Sequence, residues 1–562
     1  MRFIKLSLLT LIMGLILPST AEVYVAQARE KNVEASKKRG AHKKKPLVSK
    51  RRSSIHKKAA AEPRKRHVSP RHQGVGKKGA YGAVESPSND SSLVDPLSLA
   101  ALGPEVASMD SGVTPKGPVI PINEALASAY MTNSALKAAV YQQFATQEGI
   151  DIAFSGFRPS LSVSGNAARR VTETNAAPRA GQEIPTSKYY DTPYGATAQV
   201  TQNLYQGGGT IAAVSSAKRA VEAGHYGLRN TEVTTLLNAA SAYLNIIYTR
   251  SAIQYNKENV KFLTESLKSI KAQVEVGEKT MTDVAQAESA LAQGLAGLST
   301  AEGNYQNAVA NYINIVGQKP GNFVYPPSLK NLPPTRGELI QDALQNNPLV
   351  LQAEYAFLKA KSDVRVQEAK LLPQVNFTGQ LARNLDKYST STSQTNTGSA
   401  TLQLSVPIYQ QGAEWATVRQ SVDSEGQARS QWTQARKTAE QNAVTAWDNW
   451  VVAKANTEYY SKQVEYATLF RDGAVLEEQV GERDYLDVLQ AQSQLLQAQT
   501  GLEQAKMNER VAEYQIYSTM GILTAEYLDL PVRKFAEKEH LEVVKYKPFG
   551  FGTPPLRDGK IR

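Results

Sequence analysis

V-G-E-K-T-M-T-D-V-A-Q-A-E-S, from Val276 to Ser289, returns 204 residues later as V-G-E-R-D-Y-L-D-V-L-Q-A-Q-S, from Val480 to Ser493. Gly277 meets Gly481 and Asp283 meets Asp487, and the match persists downstream, with Leu291, Leu298 and Ala301 falling on Leu495, Leu502 and Ala505. A displacement that holds over so long a stretch marks an internal duplication. Each copy sets one glycine between two long proline-free helical patterns, so the simplest reading is a pair of helical hairpins whose tips turn at Gly277 and Gly481.

Working outward, the returning helices carry a strict seam. Val284, Ala287, Leu291, Gly294, Leu298, Ala301 and Tyr305 alternate steps of three and four, and Val488, Ala491, Leu495, Ala498, Leu502 and Ala505 repeat them. This is a heptad in which small residues at every second position let helices approach closely. Before each tip no proline interrupts the chain, so helices of roughly 65 residues, about 100 Å, are expected over Thr210–Glu275 and Ala413–Gln479. Each copy opens with a further apolar periodicity, Asn123–Phe157 and Glu338–Leu372, ending before Pro159 and Pro373. Each of these gives about 50 Å of helix, as does each returning helix, so together they match one long partner.

Between the opening helix and the long helix of each copy lie alternating segments. Val375, Phe377 and Leu381 alternate with Asn376, Thr378 and Gln380, and Leu402, Leu404 and Val406 with Thr401, Gln403 and Ser405; the first copy offers Leu161–Val171 and Tyr194–Tyr205. These are strands with one oily and one wet face. Segments of about 10 residues suit a tilted strand crossing a bilayer, whereas soluble hairpins packed on a helix are the alternative. Four strands cannot close, and an open edge does not survive in lipid, so spanning strands require an oligomer.

The flanks differ from this body. Arg2, Lys5, the apolar run Leu6–Leu17 and Ser19-Thr20-Ala21 read as a signal peptide over 1–21. Residues 22–80 hold 19 Lys or Arg against four Glu, a net of +15, and cannot bury enough surface to fold; a Ser, Pro and Gly-rich linker continues to 120. With +2 from the signal, the remaining chain carries 12 − 17 = −5, so the basic balance of the whole belongs to the arm. Such an arm is either a solvated tail or a ligand for anionic polymer at the cell envelope; nucleic acid is not an expected partner of a secreted chain. The body then divides into a first repeat, 121–319, a proline-rich linker, 320–337, and a second repeat, 338–530, with strand pairs over 161–205 and 374–409 and an irregular tail, 531–562. There is no cysteine, and no phosphate loop, nucleophile elbow or metal-spaced cluster, so neither catalysis nor a cofactor is expected.

From about Ile122 to Leu530 the chain resembles the TolC family of trimeric outer-membrane channel proteins. The resemblance rests on the duplicated plan, Asn347-Pro348, the strand-to-helix junctions Leu204-Tyr205-Gln206-Gly207-Gly208 and Ile408-Tyr409-Gln410-Gln411-Gly412, and the paired tips. The first copy departs from the pattern with Ser134 where the family has proline. The resemblance implies a mainly α fold with transmembrane β-hairpins, in which a homotrimer shares a twelve-stranded β-barrel in outer-membrane lipid and an α-helical tunnel through the periplasm. It implies a passive export duct of an efflux or type I secretion system, with a periplasmic adaptor protein and an inner-membrane transporter as partners. The alternative is a trimeric coiled-coil envelope protein that holds anionic polymer through its arm.

The resemblance also implies an entrance at the tips, where Thr282 and Asp283 of the first copy meet Arg483, Asp484, Asp487 and Gln490 of the second. Arg483 facing Asp283 is the expected latch, and Asp487 the expected acidic ring. Two departures stand out: Gln490 replaces a second ring aspartate, and Glu478 replaces the tyrosine of the familiar latch. The arm contributes no apolar periodicity to any of this. Deleting residues 22–80 is therefore expected to leave trimer yield in detergent unchanged, and loss of the trimer would show that the arm belongs to the folded body.

Overall fold

The computed structural model describes residues 119–174, 187–388, 391–535, 540–542 and 550, all within the unit Ser98–Arg562. The signal peptide 1–21, nearly all of the arm and linker 22–120, and much of the tail 531–562 lie outside the described residues. In chain order the elements are α1 (Ile122–Thr132), α2 (Ser134–Phe154), β1 (Ser160–Ala167), β2 (Arg170–Thr174), β3 (Ser187–Gln206), α3 (Gly209–Glu275) and α4 (Met281–Val316). The second copy follows with α5 (Arg336–Asn346), α6 (Pro348–Ala369), β4 (Gln374–Tyr388), β5 (Thr392–Ser405), α7 (Ala413–Gln479) and α8 (Tyr485–Thr519).

The duplication is visible in backbone conformation. Gly208, Gly277 and Gly317 have φ of 83°, 83° and 76°, and Gly412, Gly481 and Gly521, each 204 residues later, have 81°, 80° and 71°. At both tips the left-handed glycine ends the long helix in the same way: Glu278 N–H bonds the Gln273 carbonyl and Glu482 N–H the Glu477 carbonyl, each at 2.9 Å. These are Schellman turns, and a side chain at the glycine would strain them.

The opening helix of each copy, read from sequence as continuous, is broken in two. Asn133 and Asn347 adopt nearly the same extended conformation, φ/ψ −60°/123° and −63°/124°, and each caps the helix behind it with its side-chain oxygen. Asn133 accepts from Ala135 N–H and Leu136 N–H, and Asn347 from Leu349 N–H, where Pro348 occupies the first helical position. The side-chain amides point the other way: Asn133 Nδ2 donates to the Ile315 carbonyl and Asn347 Nδ2 to the Thr519 carbonyl, the ends of α4 and α8. So each break is also the joint where the upper half-rod sits on the returning one. Each long helix has 67 residues, about 100 Å, and is flanked by its own returning and opening helices. At the midpoint of α3, the inter-copy linker packs into the helical body. It inserts Phe323, 1% exposed, between the rings of Tyr243 and Tyr312.

The strands form one antiparallel sheet in the order β1-β3-β4-β5, with β2 pairing β3 beyond β1. The inner strand β3 runs through Pro193, further than the sequence pattern suggested. The proline explains the gap between β1 and β2: Ala167 lies opposite Tyr194, Arg170 opposite Asp191, and between them Ala168 N–H reaches the Pro193 carbonyl at 2.9 Å. The other expected boundary also moves. β5 starts at Thr392 and stops at Ser405 instead of continuing to Tyr409, because Pro407 has no N–H for the ladder.

The register sorts the sheet into two faces across all four strands. Val163, Ala198, Leu381 and Gly398 form one row, and Leu161, Val200, Gly379 and Ala400 the next on the same side; the interleaved row is Ser162, Gln199, Gln380 and Ser399. The apolar side is open in the single chain. Leu161, Val163, Leu381 and Leu404 are 73%, 75%, 69% and 63% exposed, so the alternative of hairpins packed on a helix fails.

In the helical body the seam is occupied as its spacing suggests. Val284, Ala287, Gly294, Ala301, Val488, Ala491, Leu495, Ala498 and Ala505 are buried, while Leu291 is half-buried. An unpaired charge in a desolvated contact costs about 3–5 kcal/mol, so Leu495→Asp is expected to unfold the lower rods, Leu291→Asp to weaken them less, and Gln293→Asp, off the seam, to be silent. Thermal unfolding followed by circular dichroism in detergent checks this order.

Candidate functional site

The two hairpin tips lie side by side. A shared apolar cluster holds them: Leu267, Ile270, Val284 and Ala287 of the first copy pack with Ala474, Tyr485, Val488 and Ala491 of the second. Tyr485 also accepts a hydrogen bond from Ser266 Oγ at 3.1 Å. The charged residues are mounted on this base, so their relative positions follow from packing and not from long flexible loops.

The expected latch between Arg483 and Asp283 is not made within the chain. Asp283 is engaged locally, in a capping box at the start of α4: its carboxylate accepts from Thr280 N–H and Thr280 Oγ1, both at 2.9 Å, and Thr280 Oγ1 accepts in turn from Asp283 N–H. The hydrogen bonds from Thr280, backbone first, hold the Asp283 carboxyl below its ordinary range. Its stabilising effect is therefore complete above the ordinary carboxylate pKa of 3.8 and is lost as pH falls through the lower folded value. Arg483 instead turns back on its own copy, with Nε 2.6 Å from Glu477 and its guanidinium over the Phe470 ring at 5.5 Å.

A different pair bridges the copies. Lys279 Nζ lies 2.9 Å from Glu478 Oε1, and the two side chains are only 23% and 13% exposed. Lys279 and Arg483 are equivalent positions of the repeat, 204 residues apart, and they take adjacent carboxylates from the end of α7. The reason is in the local sequence. Where the second copy has Glu477-Glu478, the first has Gln273-Val274, so Lys279 lacks the carboxylates that its twin Arg483 has at the end of its own long helix and reaches across to Glu478. Sequence reading singled out Glu478 as a lost tyrosine and passed over Lys279. The signal that would have found the pair is this imbalance: two aligned cations, and carboxylates in one copy only.

The remaining expected residues are placed as follows. Thr282, Asp484, Gln490, Gly277 and Gly481 are exposed, and Asp487 is half-buried on the first turn of α8. Asp484 stands at the cap position of α8 without capping it by its side chain, and among the described residues neither the Asp484 nor the Asp487 carboxylate has a hydrogen-bond or ion-pair partner in the chain, while Asp487 N–H donates to the Asp484 carbonyl at 3.0 Å. Hence the carboxylate in the first turn of α4 is spent on its own helix, and those at the start of α8 are not.

Exposed ion pairs contribute about 0–1 kcal/mol, and pairs as sheltered as this one more. A double-mutant cycle on Lys279→Ala and Glu478→Ala is therefore expected to give a coupling of about 1–2 kcal/mol, against less than about 0.5 kcal/mol for Arg483 and Glu477. Hydrogen exchange of the tip amides reads both; equal couplings would remove Lys279 from the inter-copy contact.

Comparison with known proteins follows this geometry closely. The family model described as outer membrane efflux protein matches residues 125–318 and 339–522, one span per copy. Outer membrane efflux protein BepC of Brucella suis is 32% identical over 434 residues, covering 77% of this chain and 92% of the relative. Outer membrane protein TolC of Escherichia coli is 25% identical over 315 residues, 52% of this chain and 63% of the relative. Among solved structures, the outer membrane protein VceC of Vibrio cholerae superposes with a TM-score of 0.59 at 16% identity, covering 71% of this chain and 96% of that one.

Proposed function

The chain belongs to the outer membrane efflux protein family, whose members are outer-membrane export ducts with periplasmic helical tunnels, and from that premise we propose that three copies assemble into a passive duct that lets substrates pass from the periplasm to the outside. The observation that carries this reading is the two-faced sheet with unpaired edges. In lipid the backbone groups along β1 and β5 must find partners. Three copies of the four-strand path give twelve strands, wide enough to leave an aqueous lumen lined by the Ser, Thr and Gln rows. From Val375 to Leu385 the apolar face of β4 runs about 33 Å, which at the usual tilt is about 25 Å of height, the thickness of an outer-membrane apolar band.

A second surface supports the same assembly. Val452, Tyr459, Tyr466, Leu469 and Leu476 of α7 fall on one heptad stripe and are 57–65% exposed in the single chain. A neighbouring copy covering that stripe would satisfy it as the internal seams are satisfied. The duct has no energy source of its own in this reading. A periplasmic adaptor and an inner-membrane transporter supply cargo and work, and the cargo system is efflux, in keeping with the outer membrane efflux protein family.

At the entrance, the Lys279–Glu478 contact ties the two tips of each copy, and the unengaged Asp487 carboxylates of three copies form a ring that attracts cations, thinned by Gln490. Planar-bilayer recording tests the proposal. The parent protein is expected to open aqueous channels, Lys279→Ala to raise single-channel conductance by loosening the tips, Asp487→Ala to weaken cation selectivity, and Arg483→Ala to do less because its partner lies in its own hairpin. Tyr459→Asp with Tyr466→Asp is expected to abolish both trimer and conductance, with Ser461→Asp as the silent control. Absence of any conductance from intact trimers would leave the envelope-stalk reading instead.

A further inference from the structure

One charge interrupts the apolar face of the sheet. Between Val375 and Leu385 of β4 that face presents Phe377, Gly379, Leu381 and then Arg383, and the register sets Arg383 in one row with Gly165, Ala196 and Asn396. The arginine is exposed, and among the described residues it has no hydrogen-bond or ion-pair partner in the chain. Its distance from Val375 is about 26 Å along the strand and about 20 Å of height, which leaves it within about 5 Å of the outer edge of the apolar band. A guanidinium is tolerated at that depth because its long stem carries the charge to the headgroup level.

Beside this cation the face is hollow. Val163 of β1 and Leu381 of β4 project from strands about 9.6 Å apart, and β3 between them offers only Ala196 and Ala198. The result is a shallow groove of about 390 Å³ with Arg383 and Asn396 at its outer end. Gly398 extends the floor toward β5, where an added Cβ would stand 3.5 Å from Leu381 Cδ2 and so begin to fill the space. Polar groups follow outward, since Tyr194, 43% exposed, and Gln394 flank Leu385 in the next row. From the base outward the face thus runs from apolar groove to cation to amide and phenol. A phosphorylated glycolipid has the same order: acyl chain, phosphate, sugar. A guanidinium meets two phosphate oxygens at once, and amide and phenol groups hydrogen-bond sugar hydroxyls. A glycerophospholipid would bring the phosphate without the sugar ring and leave the outer row unused.

We propose that this groove binds a lipid A-type phosphoglycolipid of the outer leaflet, with Arg383 as the phosphate ligand and an acyl chain over Ala196 and Ala198. It rests on the sheet being the membrane-crossing part. Full-length protein, delipidated in detergent and then exposed to lipid A, can be weighed intact by native mass spectrometry to read occupancy. The parent is expected to retain lipid A, and to retain lipid A stripped of its phosphates at least about tenfold less, the scale of a charged hydrogen bond. Arg383→Gln is expected to lower lipid A retention by a similar factor, and Arg383→Lys by less, because an ammonium holds phosphate only as a point charge. Ala198→Leu, which fills the groove below the cation, is expected to lower retention of both forms. Arg365→Gln, an exposed position of α6, is the silent control. Equal retention of phosphorylated and dephosphorylated lipid A overturns the proposal, as does unchanged retention in Arg383→Gln. Phosphatidylglycerol retained by the parent as well as lipid A overturns the choice of glycolipid. Planar-bilayer conductance of the same preparations reports the duct separately. A conducting parent that does not discriminate between the lipids sinks this inference alone, whereas a parent that does not conduct takes the duct reading with it.

Discussion

A 67-residue helix presents about 100 Å of flank, and two shorter helices have to cover it without leaving exposed ends where they meet. One asparagine per copy solves that problem. Asn133 and Asn347 use the side-chain oxygen to satisfy the first amides of the upper helix and the side-chain nitrogen to satisfy a last carbonyl of the lower one. Helix termini otherwise leave several backbone groups without partners, at a cost of about 1 kcal/mol or more for each that is buried. Both breaks have nearly the same backbone angles although one is followed by proline and the other by serine. Proline therefore reinforces a joint that the asparagine already specifies, which is why Ser134 is tolerated in the first copy.

Everything above and below the joints is thin, and that sets the chemistry of the core. Few helices meet at any height, so alanine is frequent among the buried positions beside leucine, isoleucine and valine, and aromatic rings gather at mid-height where Phe323 joins Tyr243 and Tyr312. The long helix of the second copy has just five buried residues along its length, all alanine. A rod so sparsely covered is an incomplete structure. Its exposed stripe and the edge strands β1 and β5 are the surfaces that the proposed assembly of further chains would cover.

Much of this was legible in the sequence because periodic burial and left-handed glycines are local codes. The paired glycines gave the turns, the three-and-four seam gave the buried face, and the alternation in Val375–Leu385 gave the oily side of the sheet. What could not be read was decided by partners remote in sequence. The break at Asn133 depends on the carbonyl of Ile315, and the strand through Pro193 survives because its neighbour can interrupt its ladder there. The tip contacts were misassigned for a related reason. Arg483 and Asp283 are complementary in charge, but each has a nearer partner, Glu477 and Thr280, that a comparison of the two copies alone does not rank.

Duplication explains how the tips came to differ in charge while keeping one shape. Both first turns carry aspartate at the third helical position, Asp283 and Asp487, and both turns are built on a left-handed glycine. In the first copy Thr280 occupies the cap, so the aspartate closes a capping box and its negative charge is held by the backbone. In the second, Asp484 occupies the cap and makes no side-chain cap bond, and closing a box there would bring the carboxylates of Asp484 and Asp487 together as like charges. One substitution at the cap, threonine against aspartate, thus converts a structural carboxylate into an unengaged one without moving the helix. The glutamates of α7 add the complementary asymmetry, because they bind the cation of either tip. Each chain in this way divides a symmetric scaffold into a tip that is tied and a tip that supplies the ties.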